Sequence, residues 1–205
     1  MKAKVCIVGP QGVGKSLIAS RFDGSTISPQ IRNAKTMFAN CNVLIGEKTV
    51  DLQMSEVSGE EKLRCMGPIF YKEAKAALCV FDLTSEKTFE ALNLWVKSVR
   101  NDASDECVLI IIGNKIDLGI RQVSLTRGLK YAKSVGAKYF EVSAVSGKGL
   151  LNVVVYLAKH LVRWNDCKRS YAAKRSITSN FIEYIAPQDD QKKKKEESLL
   201  MKRLL

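Results

Sequence analysis

The chain has 205 residues, of which 46% are apolar, enough for one domain with an extension and for one substantial buried core. No uninterrupted apolar run reaches the roughly 18 residues that a membrane-spanning helix needs, so an integral membrane protein is excluded. The net charge of +12 is spread out, with +8 over residues 1–165 and +4 over residues 166–205. It forms no basic stripe interleaved with aromatics, so nucleic-acid binding is not expected, and the excess reads as a general attraction to anionic surfaces.

Apolar strand-like runs alternate with helical periodicity through about residue 165. In chain order the pattern predicts a strand at Val5–Gly9, a helix at Leu17–Phe22, and strands at Val43–Ile45, Thr49–Met54 and Ala77–Leu83. A helix at Thr88–Val99, a strand at Val108–Gly113, a helix at Leu125–Ser134, a strand at Tyr139–Val142 and a helix at Leu150–Val162 follow. Leu78–Phe81 and Val108–Ile112 are continuously apolar, as parallel strands covered on both faces are. The alternation implies an α/β doubly wound sheet. Val5–Val8 meets Gly9-Pro10 too soon to be a secretory signal. The six cysteines form no Cys-x-x-Cys pair and His160 stands alone, so no structural zinc is expected. The thiols read as buried groups in a reducing compartment. Trp95 and Trp164 sit at helical spacing among apolar neighbours and read as core or core-edge residues.

Gly9-Pro10-Gln11-Gly12-Val13-Gly14-Lys15-Ser16 fits the phosphate-binding pattern G-x-x-x-x-G-K-[ST], between a strand and a helix as that pattern requires. Glycines let backbone N–H groups curl round phosphate oxygens, and the helix N-terminus adds favourable partial charge. Lys15 would reach the β- and γ-phosphates, and Ser16 would offer a hydroxyl to Mg²⁺. Asn114-Lys115-Ile116-Asp117 ends a parallel strand, the edge at which open sheets bind ligands. There the Asp117 carboxylate would accept from the N1–H and 2-amino group of guanine, a donor pair that adenine lacks. A polar turn is the alternative for this stretch. Glu141-Val142-Ser143-Ala144 ends the next strand, where a backbone N–H could face the guanine carbonyl.

These three boxes, in order and at family spacing, resemble the Ras superfamily of small GTPases and within it the Rab branch. Lys48–Met54, Phe70–Ala74, Val80–Thr84, Thr88–Trp95 and Ser146–Leu150 are similar to Rab sequences as well, and the resemblance covers about residues 1–165. It implies a P-loop NTPase fold with a mostly parallel six-stranded sheet and five flanking helices. It also implies GTP/GDP and Mg²⁺ binding and a role in vesicle or intraflagellar-type transport. The candidate nucleotide-binding residues are Gly12, Val13, Gly14, Lys15, Ser16, Leu17, Gly59, Asn114, Lys115, Asp117, Ser143, Ala144 and Val145. Ser16, and Glu56 through a water, are the metal candidates.

Departures from the family fall on the switch apparatus. Where the family has Asp-x-x-Gly followed by Gln, this chain reads Glu56-Val57-Ser58-Gly59-Glu60. Glu56 adds a methylene to a carboxylate whose reach is set by a tight octahedron. Glu60, the candidate catalytic residue, replaces the amide that orients the attacking water. Gln11 puts a long side chain in the phosphate loop, and Val145 replaces a lysine common after Ser-Ala. For the threonine of the first switch, Gln30, Asn33 and Thr36 remain open, and Ile27 would stand in for the missing guanine-edge aromatic.

Two readings follow. One is a switch enzyme that hydrolyses GTP slowly and recruits protein effectors, with an exchange factor to reload it. The other is a non-cycling pseudo-GTPase, a nucleotide-binding scaffold or stable partner subunit. The C-terminal extension, residues 166–205, is expected to lie outside the core, partly helical or disordered. The last cysteine, Cys167, lies 38 residues from Leu205, and residue 2 is Lys, so neither prenylation nor myristoylation is expected. Lys192–Lys195 and the apolar Leu199-Leu200-Met201 would give at most weak, salt-sensitive membrane attachment. The expectation is a monomeric cytoplasmic protein that reaches endomembranes through a partner.

Overall fold

A computed structural model describes residues 1–23, 38–59 and 67–185. Gln30, Asn33, Thr36, Ile27, Glu60 and the Lys192–Lys195 run lie outside the described residues. In chain order the elements are β1 (Lys2–Val8), α1 (Lys15–Phe22), β2 (Phe38–Ile45), β3 (Lys48–Glu56), α2 (Gly67–Tyr71) and β4 (Ala76–Asp82). Then come α3 (Glu86–Asp102), β5 (Val108–Asn114), a 3-10 turn over Ile116–Leu118, α4 (Leu125–Ser134), β6 (Lys138–Glu141) and α5 (Leu150–Ile185).

The six strands form one sheet in the order β2-β3-β1-β4-β5-β6. Only β2 runs antiparallel to its neighbour, pairing Phe38 with Ser55 through Ile45 with Lys48. The other pairs are parallel. The expected doubly wound, mostly parallel sheet is thus the one observed, with all six strands found and their ends shifted by a few residues.

Side-chain alternation divides the core between the two faces. Val5, Ile7, Leu78, Val80, Ile110 and Ile112 pack on one face with Ile18 of α1 and Val153, Leu157 and Leu161 of α5. Their neighbours Cys6, Val8, Cys79, Phe81, Leu109 and Ile111 face the other side, with Leu92, Trp95 and Val99 of α3 and Ala132 of α4. This period of two on strands buried on both faces is why β4 and β5 read as unbroken apolar runs. Burial pushes the Cys79 thiol up to about 12 and Cys107 to about 11, which makes them packing groups at neutral pH.

Two elements differ from the sequence expectation. The short α2 carries too few turns for periodicity to detect. Helix α5 does not stop at Val162 but continues to Ile185. The chain divides into two units, Met1–Val162 and Arg163–Leu205, with α5 beginning in the first and ending in the second. Trp95 is buried under the sheet, whereas Trp164 in the second unit is half-buried, with the Lys168 ammonium 4.2 Å from its ring centre. Truncating Leu78, fully buried in a central strand, should destabilise the fold by about 2–5 kcal/mol. Urea unfolding of Leu78→Ala measures this, and a loss well below 1 kcal/mol would contradict the placement.

Candidate functional site

The parallel strands β1, β4 and β5 end on the same side of the sheet, and the candidate residues gather there. Gly9 leaves β1 at φ 141°, and a side chain on it would run into the Val80 carbonyl of β4. Gly14 caps α1 in the left-handed region (φ 96°, ψ 23°), where a Cβ would strike the amide of Asn114. Glycine is required at both places by backbone angle and by space. Among the described residues no side chain hydrogen-bonds to cap α1. Its first-turn N–H groups have no acceptor within the helix and give this end partial positive charge.

Lys15 is 4% exposed, and its ammonium donates to the Pro10 carbonyl at 2.9 Å. Burial lowers its pKa from 10.5 to about 8, with the Glu56 carboxylate acting in the opposite direction. Glu56 ends β3 beside Ile7 of β1, and the Val57 N–H donates to the Ile7 carbonyl at 3.0 Å. Gly59 then passes directly over the loop: a Cβ there would come within 2.6 Å of both the Gln11 nitrogen and the Lys15 Nζ. Ser16 and Leu17, in the first turn of α1, are half-buried. A glycine cradle, a helix N-terminus and a desolvated ammonium make a fitting set of donors for a polyphosphate.

The second half of the site is organised by Asn114, 1% exposed at the end of β5. Its Nδ2 donates to the Val13 carbonyl at 2.8 Å, and its Oδ1 accepts from the Ala144 N–H at 3.0 Å. One amide therefore fastens the glycine loop to the loop after β6. Lys115 stands in the left-handed region (φ 71°), and its ammonium lies 2.6 Å from the Asp82 carboxylate. Asp82 also accepts from the Thr84 N–H at 2.8 Å and hydroxyl at 2.7 Å. Burial raises the Asp82 pKa, but Lys115 and Thr84 outweigh it and hold the carboxyl below its ordinary value. Asp117 lies exposed in the 3-10 turn, anchored by the Ile116 N–H to the Val142 carbonyl at 3.2 Å.

Ser143 is fully buried, its hydroxyl accepting from the Ser146 N–H at 3.0 Å, while Val145 exposes its side chain. The structure thus brings Gly12–Leu17, Glu56, Gly59, Asn114–Asp117 and Ser143–Val145 to one end of the sheet. Asp82 joins them from the Rab-like stretch Val80–Thr84, where its strand-end position suits it to satisfy local backbone groups, and Arg21, which donates to the carbonyls of Ala144 and Val145, joins them from outside the three boxes. His160 is exposed on α5 beside Tyr156 and takes no part.

A glycine cradle between a strand end and a helix N-terminus, tied by Asn114 to the loop after β6, defines a P-loop protein. Comparison with known proteins narrows this. Residues 4–163 match the Ras family. The chain is 34% identical to the Ras-related protein Rab-21 of Geodia cydonium over 167 residues, 80% of this chain and 73% of that protein. It is 34% identical over 161 residues to Rab-21 of Homo sapiens, 78% and 72% of the two chains. Over 157 residues, 76% and 73%, it is 33% identical to the Ras-related protein SEC4 of Saccharomyces cerevisiae. The chain belongs to the Ras family and is Rab-like.

Two measurements check this geometry. Asn114→Ala removes both ties and leaves a buried carbonyl and N–H without them, so urea unfolding should register a loss of about 1–3 kcal/mol. The pH dependence of Lys15 has a definite sign. Its folded pKa lies below the unfolded one, so between about 8 and 10.5 the unfolded chain binds the extra proton and stability rises with pH. Freed of nucleotide, Lys15→Met should be more stable than the parent near pH 7, with the gap closing towards pH 10. A constant gap would contradict the burial of that charge.

Proposed function

We propose that this protein is a Rab-like guanine-nucleotide switch in vesicle-mediated transport that binds GTP and GDP with Mg²⁺ and hydrolyses GTP slowly. The observation that carries this reading is the Asn114 amide, which joins the glycine loop to the loop after β6 within one compact unit. In this reading backbone N–H groups of Gly12, Val13, Gly14, Lys15, Ser16 and Leu17 surround the phosphates, and the Lys15 ammonium regains its full charge against them. The Asp117 carboxylate takes the guanine N1–H and 2-amino group. Lys115, aligned by Asp82, and the Ser143–Val145 turn complete the base site.

The Ser16 hydroxyl, and Glu56 through a water, would hold Mg²⁺, which supplies charge neutralisation at the β- and γ-oxygens. The Gly59 N–H would donate to the γ-phosphate. Glu60 would accept a proton from the attacking water but has no amide to donate to phosphate, and its negative charge opposes that of the γ-phosphoryl group. Slow turnover follows. The scaffold alternative is not favoured, because the relatives covering most of this chain are Ras-related Rab proteins.

Effectors that recognise the GTP-bound form, and an exchange factor that empties the site, are the partner classes this reading implies. Residues 1–165 would form the nucleotide-binding domain and 166–205 a basic extension. No helix among the described residues is long and apolar enough to cross a membrane. A cytoplasmic monomer, peripheral at endomembranes through a partner, fits the reading.

Asp117→Asn, which removes the carboxylate acceptor, should weaken GTP binding by about 2–4 kcal/mol in calorimetric titration. Single-turnover phosphate release tests the hydrolytic half. The double variant Glu56→Asp, Glu60→Gln, with the shorter carboxylate and the water-orienting amide, should turn over GTP faster than the parent. Unchanged or slower release would mean that the site works through its own carboxylates.

A further inference from the structure

Arg21 lies in the last turn of α1, five residues beyond the glycine-loop motif and in none of the three boxes read in the sequence. Its Nε donates to the Ala144 carbonyl at 3.1 Å, and its Nη2 donates to the Val145 carbonyl. These are the two successive carbonyls of the turn after β6. From the other side, the Ala144 N–H is taken by Asn114 at 3.0 Å. The Ala144 residue is therefore held at both ends, by the amide that ties it to the glycine loop and by a guanidinium from the helix that the glycine loop opens.

A trans peptide carries its C=O and N–H on opposite sides. Fixing the Ala144 carbonyl on Arg21 turns the Val145 N–H of the same peptide away from α1. With the Ala144 N–H already engaged, the Val145 N–H is the donor that this arrangement presents. A planar, permanently charged fork suits two carbonyls at once in a way that a lysine ammonium does not. Ala144 is 2% exposed and packs in the core, whereas the Val145 side chain is 57% exposed, so the Val145 end of this peptide gains little restraint from its own side chain.

We infer that Arg21 is a positioning residue for guanine recognition: it orients the Ala144–Val145 peptide so that the Val145 N–H donates to the carbonyl oxygen at C6 of the base. This rests on the guanine-nucleotide reading above and adds to it a residue that touches neither phosphate nor base. It also couples the two loops through α1, because the helix whose N-terminus faces the phosphates carries the clamp on the base turn at its other end. The guanidinium acts on the nucleotide only through that turn, so its effect must depend on the base oxygen and not on the phosphates.

The test is a ligand–variant cycle by competition against labelled GDP, using GDP, 6-thioguanosine diphosphate and inosine diphosphate with the full chain. The thio analogue keeps the N1–H and 2-amino group but replaces the carbonyl oxygen by a poor acceptor. Inosine diphosphate keeps the oxygen and lacks the 2-amino group. Arg21→Ala should weaken GDP and inosine diphosphate by a similar factor, about tenfold for one well-placed hydrogen bond, and the thio analogue by much less. Arg21→Lys, which keeps the charge but not the fork, should show the same selective pattern at smaller size and serves if the alanine variant does not fold. Equal losses on all three nucleotides, or none, would overturn the role of Arg21 while leaving guanine binding intact. If the parent failed to distinguish GDP from ADP, the guanine reading itself would fall, and this inference with it.

Discussion

The site depends on one buried side chain. Asn114 makes two hydrogen bonds in opposite senses, giving a proton to the Val13 carbonyl and accepting one from the Ala144 N–H. In a setting only 1% exposed neither bond competes with water, and neither partner has solvent to fall back on. Two loops that are separate in sequence thereby become parts of one surface. Gly14 has to be glycine partly because the same amide occupies the space a side chain would need.

Around this tie the electrostatics are arranged for an anion. The α1 N-terminus carries partial positive charge, and the Lys15 ammonium sits desolvated beside it, opposed only in part by Glu56. An ammonium held in this way is unfavourable by itself and becomes favourable against phosphate oxygens, so stability and binding are linked. At the base end, Asp82 keeps Lys115 in place and thereby helps to hold the strained backbone from which Asp117 projects. The carboxylates Glu56 and Glu60 stand where the family has a shorter acid and an amide, and this chain's own character is concentrated there.

Much of this was legible in the sequence, for physical reasons that can be named. The glycine loop could be read because backbone curling round phosphate demands glycines at set positions before a lysine. The strands could be read because double burial makes them continuous apolar runs, as in Val108–Ile112. Helix α2 escaped because five residues give little more than one turn. The extent of α5 escaped because the paired basic residues after Trp164 interrupt the apolar period without breaking the helix. Asn114 could be placed but not given its bridging role, since a polar turn at a strand end looks the same in sequence. Arg21 had no signal at all: its partners lie more than a hundred residues away, and only the packing of α1 against the β6 exit brings them together.

The central claim is that this surface selects guanine. Competition of unlabelled GTP and ATP for the protein loaded with labelled GDP, in the presence of Mg²⁺, tests it most directly. The account predicts displacement by GTP and none by ATP at the same concentration; displacement by ATP as effective as by GTP would contradict it.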